Sequence, residues 1–319
     1  MRPLSYTFAV LAAGANAVSS TLQRRANIDE PDSAAFTPQI ILDLLRRPVW
    51  LGGIVAVIAS FLLQAAALAH GELAVVEPVL ALELPFTLGL ASVVFHRRMR
   101  FREWSSAILL AGGVALLLVT LRPSGGTPDI ALWKWGAAVA VTAGAVTVLI
   151  GWGMRSSGDR RAALLGIATG TSFGLTAALM SRMSEAAASG LGTIFTTWQT
   201  YAMIAAGVAA MFLLQNALQA GTLVAVQPGL TLADPLVSIT WGVVAFGEHV
   251  QGGLWYLGAV LGGGLILVGT VRLSHSPLIH GGPDRGAGRP HGASAARREG
   301  GPPGNAGRAV GRSPGGGGG

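Results

Sequence analysis

Residues 76–85 read VEPVLALELP, and residues 226–235 read VQPGLTLADP. Val76-Glu77-Pro78 falls on Val226-Gln227-Pro228, and Leu84-Pro85 on Asp234-Pro235, at an offset of 150 residues. The same offset continues without a gap: Gly112-Gly113 falls on Gly262-Gly263, Thr120 on Thr270 and Arg122 on Arg272. Upstream, Phe61-Leu62-Leu63-Gln64 returns as Phe212-Leu213-Leu214-Gln215, one residue out of step, and Gly14 matches Gly170 more loosely. The pattern reads as an internal duplication.

Both copies sit in apolar surroundings. Of 319 residues, 51% are hydrophobic and only 12% charged, whereas a soluble chain carries about twice that charge. The apolar residues fall in blocks of about 20, enough to cross a hydrocarbon core of about 30 Å as a helix. Nine such spans are expected, at 5–22, 49–69, 73–95, 103–121, 132–153, 162–181, 193–218, 222–246 and 253–273. The expected fold is an all-α membrane protein. Spans one to four (residues 1–122) form one repeat and spans six to nine (162–273) the other, with the fifth span in a connecting segment, 123–161. Five spans separate each pair of partners, and five is odd. The two repeats therefore cross the membrane in opposite senses, the inverted topology that suits alternating access to a site near the midplane.

The segments outside the spans set the orientation. In the connection 23–48, Thr37-Pro38 reads as a helix start. Ile40, Ile41, Leu44 and Leu45 then form an apolar stripe beside Asp43, Arg46 and Arg47, an interfacial helix near 38–47. Residues 274–319 form a basic tail rich in Gly and Pro, and such a composition is expected to be disordered. Its arginines (285, 289, 297, 298, 308 and 312) fit contact with anionic headgroups or plain solvation. Arg2, the first apolar run and Ala15-Asn16-Ala17 resemble a signal peptide, but the match of span one to span six favours its retention. With the N-terminus outside, the inner segments hold 18 of the 22 Lys and Arg, and the loops alone still favour this sense by 11 to 4. An N-out, C-in protein of the plasma membrane is expected.

Several functions lack residues to stand on. There are no cysteines, so no thiolate metal site is available. The net charge of +7 lies between the apolar blocks and in the tail, not along one face, which argues against nucleic-acid binding. The single lysine, Lys134, is in no phosphate-binding loop, which excludes an ATP-driven pump on this polypeptide. The histidines form no metalloprotease motif, and no hydrolase constellation is present. Neither an enzyme nor a resident cofactor is expected.

Polar groups inside spans are costly in hydrocarbon and are the functional candidates. Span three carries Glu77 and Glu83, and Glu83 lies about 16 Å below Glu72 at the outer edge, near the midplane. Span eight carries Gln227 and Asp234, two turns apart on one face. Glu77 and Asp234 are therefore expected to face a shared cavity from opposed halves. Glu83 is turned about 120° from Glu77 and serves another surface, with Thr87 one turn on. Pro78, Pro85, Pro228 and Pro235 are expected to break the two helices at matching places, freeing carbonyls that can bind cations. The alternative is that the prolines only kink the helices and the acids cap the disrupted turns. Asn16, Ser20, Gln64, Gln215 and Asn216 fit the cavity wall or ordinary interhelical hydrogen bonds. Trp241 and Phe246 fit stacking on an organic solute or packing. Gly166, Gly170 and Gly174 suit close helix contact first and a homodimer face second.

The stretch from Pro235 through Trp241, Phe246-Gly247-Glu248-His249-Val250 and Gly258 to Gly264 resembles the closing two helices of an EamA-type repeat, the unit of the drug/metabolite transporter superfamily. The end of span one, Ser19-Ser20-Thr21-Leu22-Gln23, and the nine spans are similar to the NIPA branch, which is associated with magnesium transport. The first repeat departs from the pattern, with His96-Arg97-Arg98 where the second has Phe246-Gly247-Glu248. The resemblance implies a secondary transporter of a small metabolite or drug-like solute, and its NIPA side a magnesium or other divalent-cation pathway. Buried carboxylates can carry protons in the first case and bind Mg²⁺ in the second. A third reading is a membrane interaction protein that transports nothing.

Overall fold

The computed structural model describes residues 3–28, 48–94, 99–190 and 192–275. The expected interfacial helix near 38–47 and the tail beyond 275 lie outside the described residues. These form α1 (Pro3–Ile28), α2 (Pro48–His70), α3 (Leu73–Leu80), α4 (Glu83–Val94), α5 (Phe101–Leu121) and α6 (Leu132–Met154). There follow α7 (Gly158–Ala188), the single turn α8 (Thr193–Thr196), α9 (Trp198–Ala220), α10 (Leu223–Thr240), a π-helical turn at Trp241–Ala245, and α11 (Trp255–Ser274). No strand occurs among the described residues. A bilayer demands this economy, because helices satisfy their own backbone groups.

Among the described residues, seven segments are long and apolar enough to cross a membrane: α2, the α3–α4 pair, α5, α6, α7, α9 and α11. Their outer faces carry exposed large apolar side chains such as Val55, Leu62, Val141, Val208 and Val260. This is the build of an integral membrane protein. The other two long helices, α1 and α10, carry the polar side chains Asn16, Ser19 and Ser20, and Gln227, Thr231 and Asp234, respectively.

Close approaches show how the helices run. Gly53 packs beside Ser19 and Gln23, and Ser60 donates to the Ala12 carbonyl at 2.9 Å, so α2 runs antiparallel to α1. In the second half, Gly207 lies beside Thr176 and Gly221 beside Ala162, so α9 runs antiparallel to α7. Gly166, Gly170 and Gly174 meet Val226, Leu230 and Val237 in turn, which makes α10 parallel to α7. A Cβ at Gly166 would stand 2.6 Å from the Val226 carbonyl oxygen. These glycines thus face inward and are unavailable as a dimer face. Between the halves, α5 and α11 cross antiparallel at Gly113 and Gly262, where a Cβ on Gly113 would lie 2.7 Å from the Gly262 oxygen.

The prolines act differently from the sequence expectation. Pro78 lies inside α3 and Pro85 in the first turn of α4, and the break falls between them at Ala81-Leu82. A proline in a first turn removes an amide that has no intrahelical partner anyway. In α10 neither Pro228 nor Pro235 breaks the helix, which stays continuous to Thr240. Its whole length is seated on the glycine face of α7, and Gly229 rests on Ile167. That packing holds a helix which the prolines alone would weaken.

Candidate functional site

The acids of the third and eighth spans meet in the interior. Glu77, in the middle of α3, is only 4% exposed and accepts a hydrogen bond from Gln64 Nε2 of α2 at 3.0 Å. Helix α3 packs on α10, and Asp234 stands close enough for its charge to act on Glu77. Asp234 Oδ1 is buried and has no hydrogen-bond partner among the described residues. Neither acid is ion-paired with a Lys or Arg there. The structure therefore brings Gln64, Glu77 and Asp234 together from α2, α3 and α10. Two neighbouring carboxyls inside the helix packing with no basic partner make a place for a positive charge, whether a proton or a cation.

Glu83 belongs to a second group, as its turn around the helix implies. It begins α4 and accepts from Asn16 Nδ2 at 2.5 Å and Ser20 Oγ at 3.4 Å, both on α1. A carboxylate in the first turn of a helix also faces free backbone amides and the positive end of the helix dipole. Thr87 does not join it, and its hydroxyl is buried without a partner.

Other candidates fall away from both groups. Gln227 donates to Thr231 on its own helix at 3.2 Å. Gln215 lies exposed on α9, and Asn216 donates to the Phe212 carbonyl at 2.8 Å. Trp241 and Phe246 pack on Trp135, with ring centroids 5.3 and 5.6 Å from it, and Phe246 also lines the polar cavity described next. Trp241 Nε1 is taken by Thr142 Oγ1 at 3.2 Å.

Above the acid pair lies a polar cavity of about 440 Å³, lined from both halves and from the connection between them. Glu72 and Leu73 contribute from the first half, Gly125 to Pro128 from the connection, and Ser181, Glu185 and Glu248 from the second. Glu77 sits one turn beyond Leu73, about 6 Å deeper. Two other cavities, of about 480 and 540 Å³, are lined almost wholly by apolar side chains, as lipid-facing grooves are.

The loops around this vestibule are tied together. Ser124 and His249 exchange backbone hydrogen bonds at 3.0 and 2.8 Å, and Thr127 N donates to the Phe246 carbonyl at 3.0 Å. Gly126 has φ +82° and passes so near Glu248 that a Cβ would touch it. Arg182 pairs with Asp129 and Glu185, each at 3.1 Å. Glu248, 5% exposed, accepts from Leu73 N at 2.8 Å and Ala74 N at 3.1 Å. Burial pushes its carboxyl up to about 7, with the amides of Ala74 and Leu73 opposing and the charge of Glu72 adding. Sequence reasoning did not place Glu248 in a site. It lies in the quoted Phe246-Gly247-Glu248 motif, but nothing local links it to a helix start 175 residues away.

No family model matches the chain, and no solved structure matches it. It is similar to an uncharacterized protein of Corynebacterium glutamicum, 28% identical over 291 residues that cover 88% of this chain and 98% of that protein.

Proposed function

We propose that the chain is a secondary transporter that carries a small metabolite or drug-like solute by alternating access between two inverted repeats. The observation that carries this reading is the meeting of Glu77 and Asp234, one from each half, beneath a polar vestibule lined by both. Nine spans, with the N-terminus outside and the C-terminus in the cytoplasm, complete the reading. The relations between helices support it. Each half packs its first helix antiparallel to its second, and the matched fourth and ninth spans, α5 and α11, run in opposite senses where they touch. A purely adhesive membrane protein has no use for a polar cavity between its halves.

The acid pair is proposed as the proton-carrying centre. Proteoliposomes under an imposed pH gradient provide the test, with solutes first selected from a panel by thermal stabilisation of the purified protein. Uptake should follow the gradient and fall at least about tenfold in Glu77→Gln and Asp234→Asn. Undiminished proton-driven uptake in both variants would remove the role given to these acids.

The paired carboxyls also favour a second reading, a divalent-cation pathway in keeping with the NIPA likeness. Mg²⁺ keeps several waters and needs only one or two carboxylates. Among the described residues no group of three or more His, Asp or Glu is placed to hold a metal, so an ion here would stay largely hydrated. Stabilisation by millimolar Mg²⁺ that disappears in Asp234→Asn would favour this reading over the organic solute.

A further inference from the structure

Helix α3 is a separate short body in the fold. Residues 73 to 79 are all buried, and its C-terminal end is a joint closed by tight turns, with Ala81 N on the Pro78 carbonyl at 3.2 Å and Leu82 N on the Val79 carbonyl at 3.0 Å. The chain resumes as α4 in its own contacts with α1.

The other end of α3 is held from outside. Glu72 occupies the cap position but makes no capping hydrogen bond with its side chain. The first two helical amides, Leu73 N and Ala74 N, are instead taken by the two oxygens of Glu248, which belongs to the second half. Free amides at a helix start require partners, and a carboxylate there is also favoured by the helix dipole. Glu248 rests on Gly242, where any Cβ would overlap its carboxylate, and its loop is fixed further by Gln251 N on the Leu121 carbonyl at 2.8 Å. The tie therefore joins the second half to the start of α3 across 175 residues of chain.

From this geometry we infer that Glu248 is a positioning residue: its two hydrogen bonds to the start of α3 hold Glu77 against Asp234 and close the floor of the vestibule, and their release is the outer opening step. The gating part rests on the transport reading; the positioning part does not. The charged and titratable groups around Glu248 are Glu72 before α3, His70 at the end of α2, Arg182 and Glu185 at the end of α7, Asp129 in the connection and His249 beside it. Because burial raises the Glu248 carboxyl, the tied state holds a proton that a water-exposed Glu248 releases. Acid therefore favours the tied state, and ionisation toward pH 8 favours opening.

Hydrogen exchange on the full-length protein, read by mass spectrometry and corrected for intrinsic rates at each pH, tests the tie without a known solute. In Glu248→Ala, both oxygen acceptors are removed from the start of α3. Exchange across residues 73–80 should rise about tenfold or more, while α5 and α11 keep their protection. In the unaltered protein, protection of 73–80 should fall about tenfold from pH 5.5 to 8, a reading that stands even if the variant does not fold. Unchanged exchange in Glu248→Ala, an equal rise in α5 and α11, or pH-independent protection of 73–80 in the unaltered protein would each overturn the inference. A positive result alongside undiminished flux in the Glu77 and Asp234 variants would remove the transport role of the acids and leave the tie intact.

Discussion

The stretches expected as the third and eighth spans carry prolines at matched positions, yet one is broken and the other continuous. In the third span the joint at Ala81-Leu82 is followed by Glu83, whose carboxylate receives Asn16 and Ser20 from α1. The neighbouring helix thus supplies donors for a charge at the new helix start. In the eighth span the matching residue is Ala233, and Gly170 of α7 approaches it so closely that a Cβ there would lie 2.9 Å from the alanine methyl. No space remains for a splayed turn or a carboxylate. A proline only weakens a helix; the partner helix decides whether the chain bends, breaks or holds.

The comparison can be broken most severely at Ala233. Ala233→Glu would drive a carboxylate into a helix contact without donors, and should cost about 3 kcal/mol or more. Loss of folded protein on size-exclusion chromatography in detergent is the expected result, and a stable monodisperse variant would refute the account of the eighth span. Glu83→Ala attacks the same position in the first half. It strands the Asn16 amide and should cost about 1–3 kcal/mol in thermal or denaturant unfolding. A cost near zero would mean the Asn16 contact does not hold the joint.

A pH titration sharpens the comparison through Glu248, which has no counterpart in the first half. Its folded value of about 7 lies above the ordinary 4.5, so its contribution is full below pH 4.5 and lost as pH rises through 7. Stability should decline across that window by about 1–3 kcal/mol, and Glu248→Gln should flatten the slope. The smallest effects distinguish the glycines of the matched fourth and ninth spans. Gly113→Ala and Gly262→Ala should lower the melting temperature, because a methyl meets backbone atoms of the facing helix. Gly112→Ala and Gly263→Ala, with nothing within 4 Å, should be neutral or slightly stabilising. Equal shifts at all four would put the crossing in the wrong place.

Much of the site was legible because hydrocarbon makes polar residues conspicuous. Glu77, Asp234, Glu83, Gln64 and Asn16 stand out in apolar blocks, and the matched stretches imply that Glu77 and Asp234 face one another. Gln215 was misplaced by the same logic. The repeat aligns it with Gln64, but α9 turns it outward where α2 turns Gln64 toward Glu77. Trp241 and Phe246 were readable as stacking or, as is commoner for large apolar residues, as packing, and both are found against Trp135.

The sequence by itself determined that the chain is helical and made for a bilayer, since block length and the scarcity of charge are properties of composition and spacing alone. It also singled out Glu77, Glu83 and Asp234 as acids inside apolar blocks. Only the tertiary structure decided that α10 runs unbroken, that Glu83 is served by α1, and that Glu248 caps α3 from the other half. Each of these depends on which surfaces lie within hydrogen-bond or van der Waals reach across the fold, and such distances are set by packing between segments far apart in the chain.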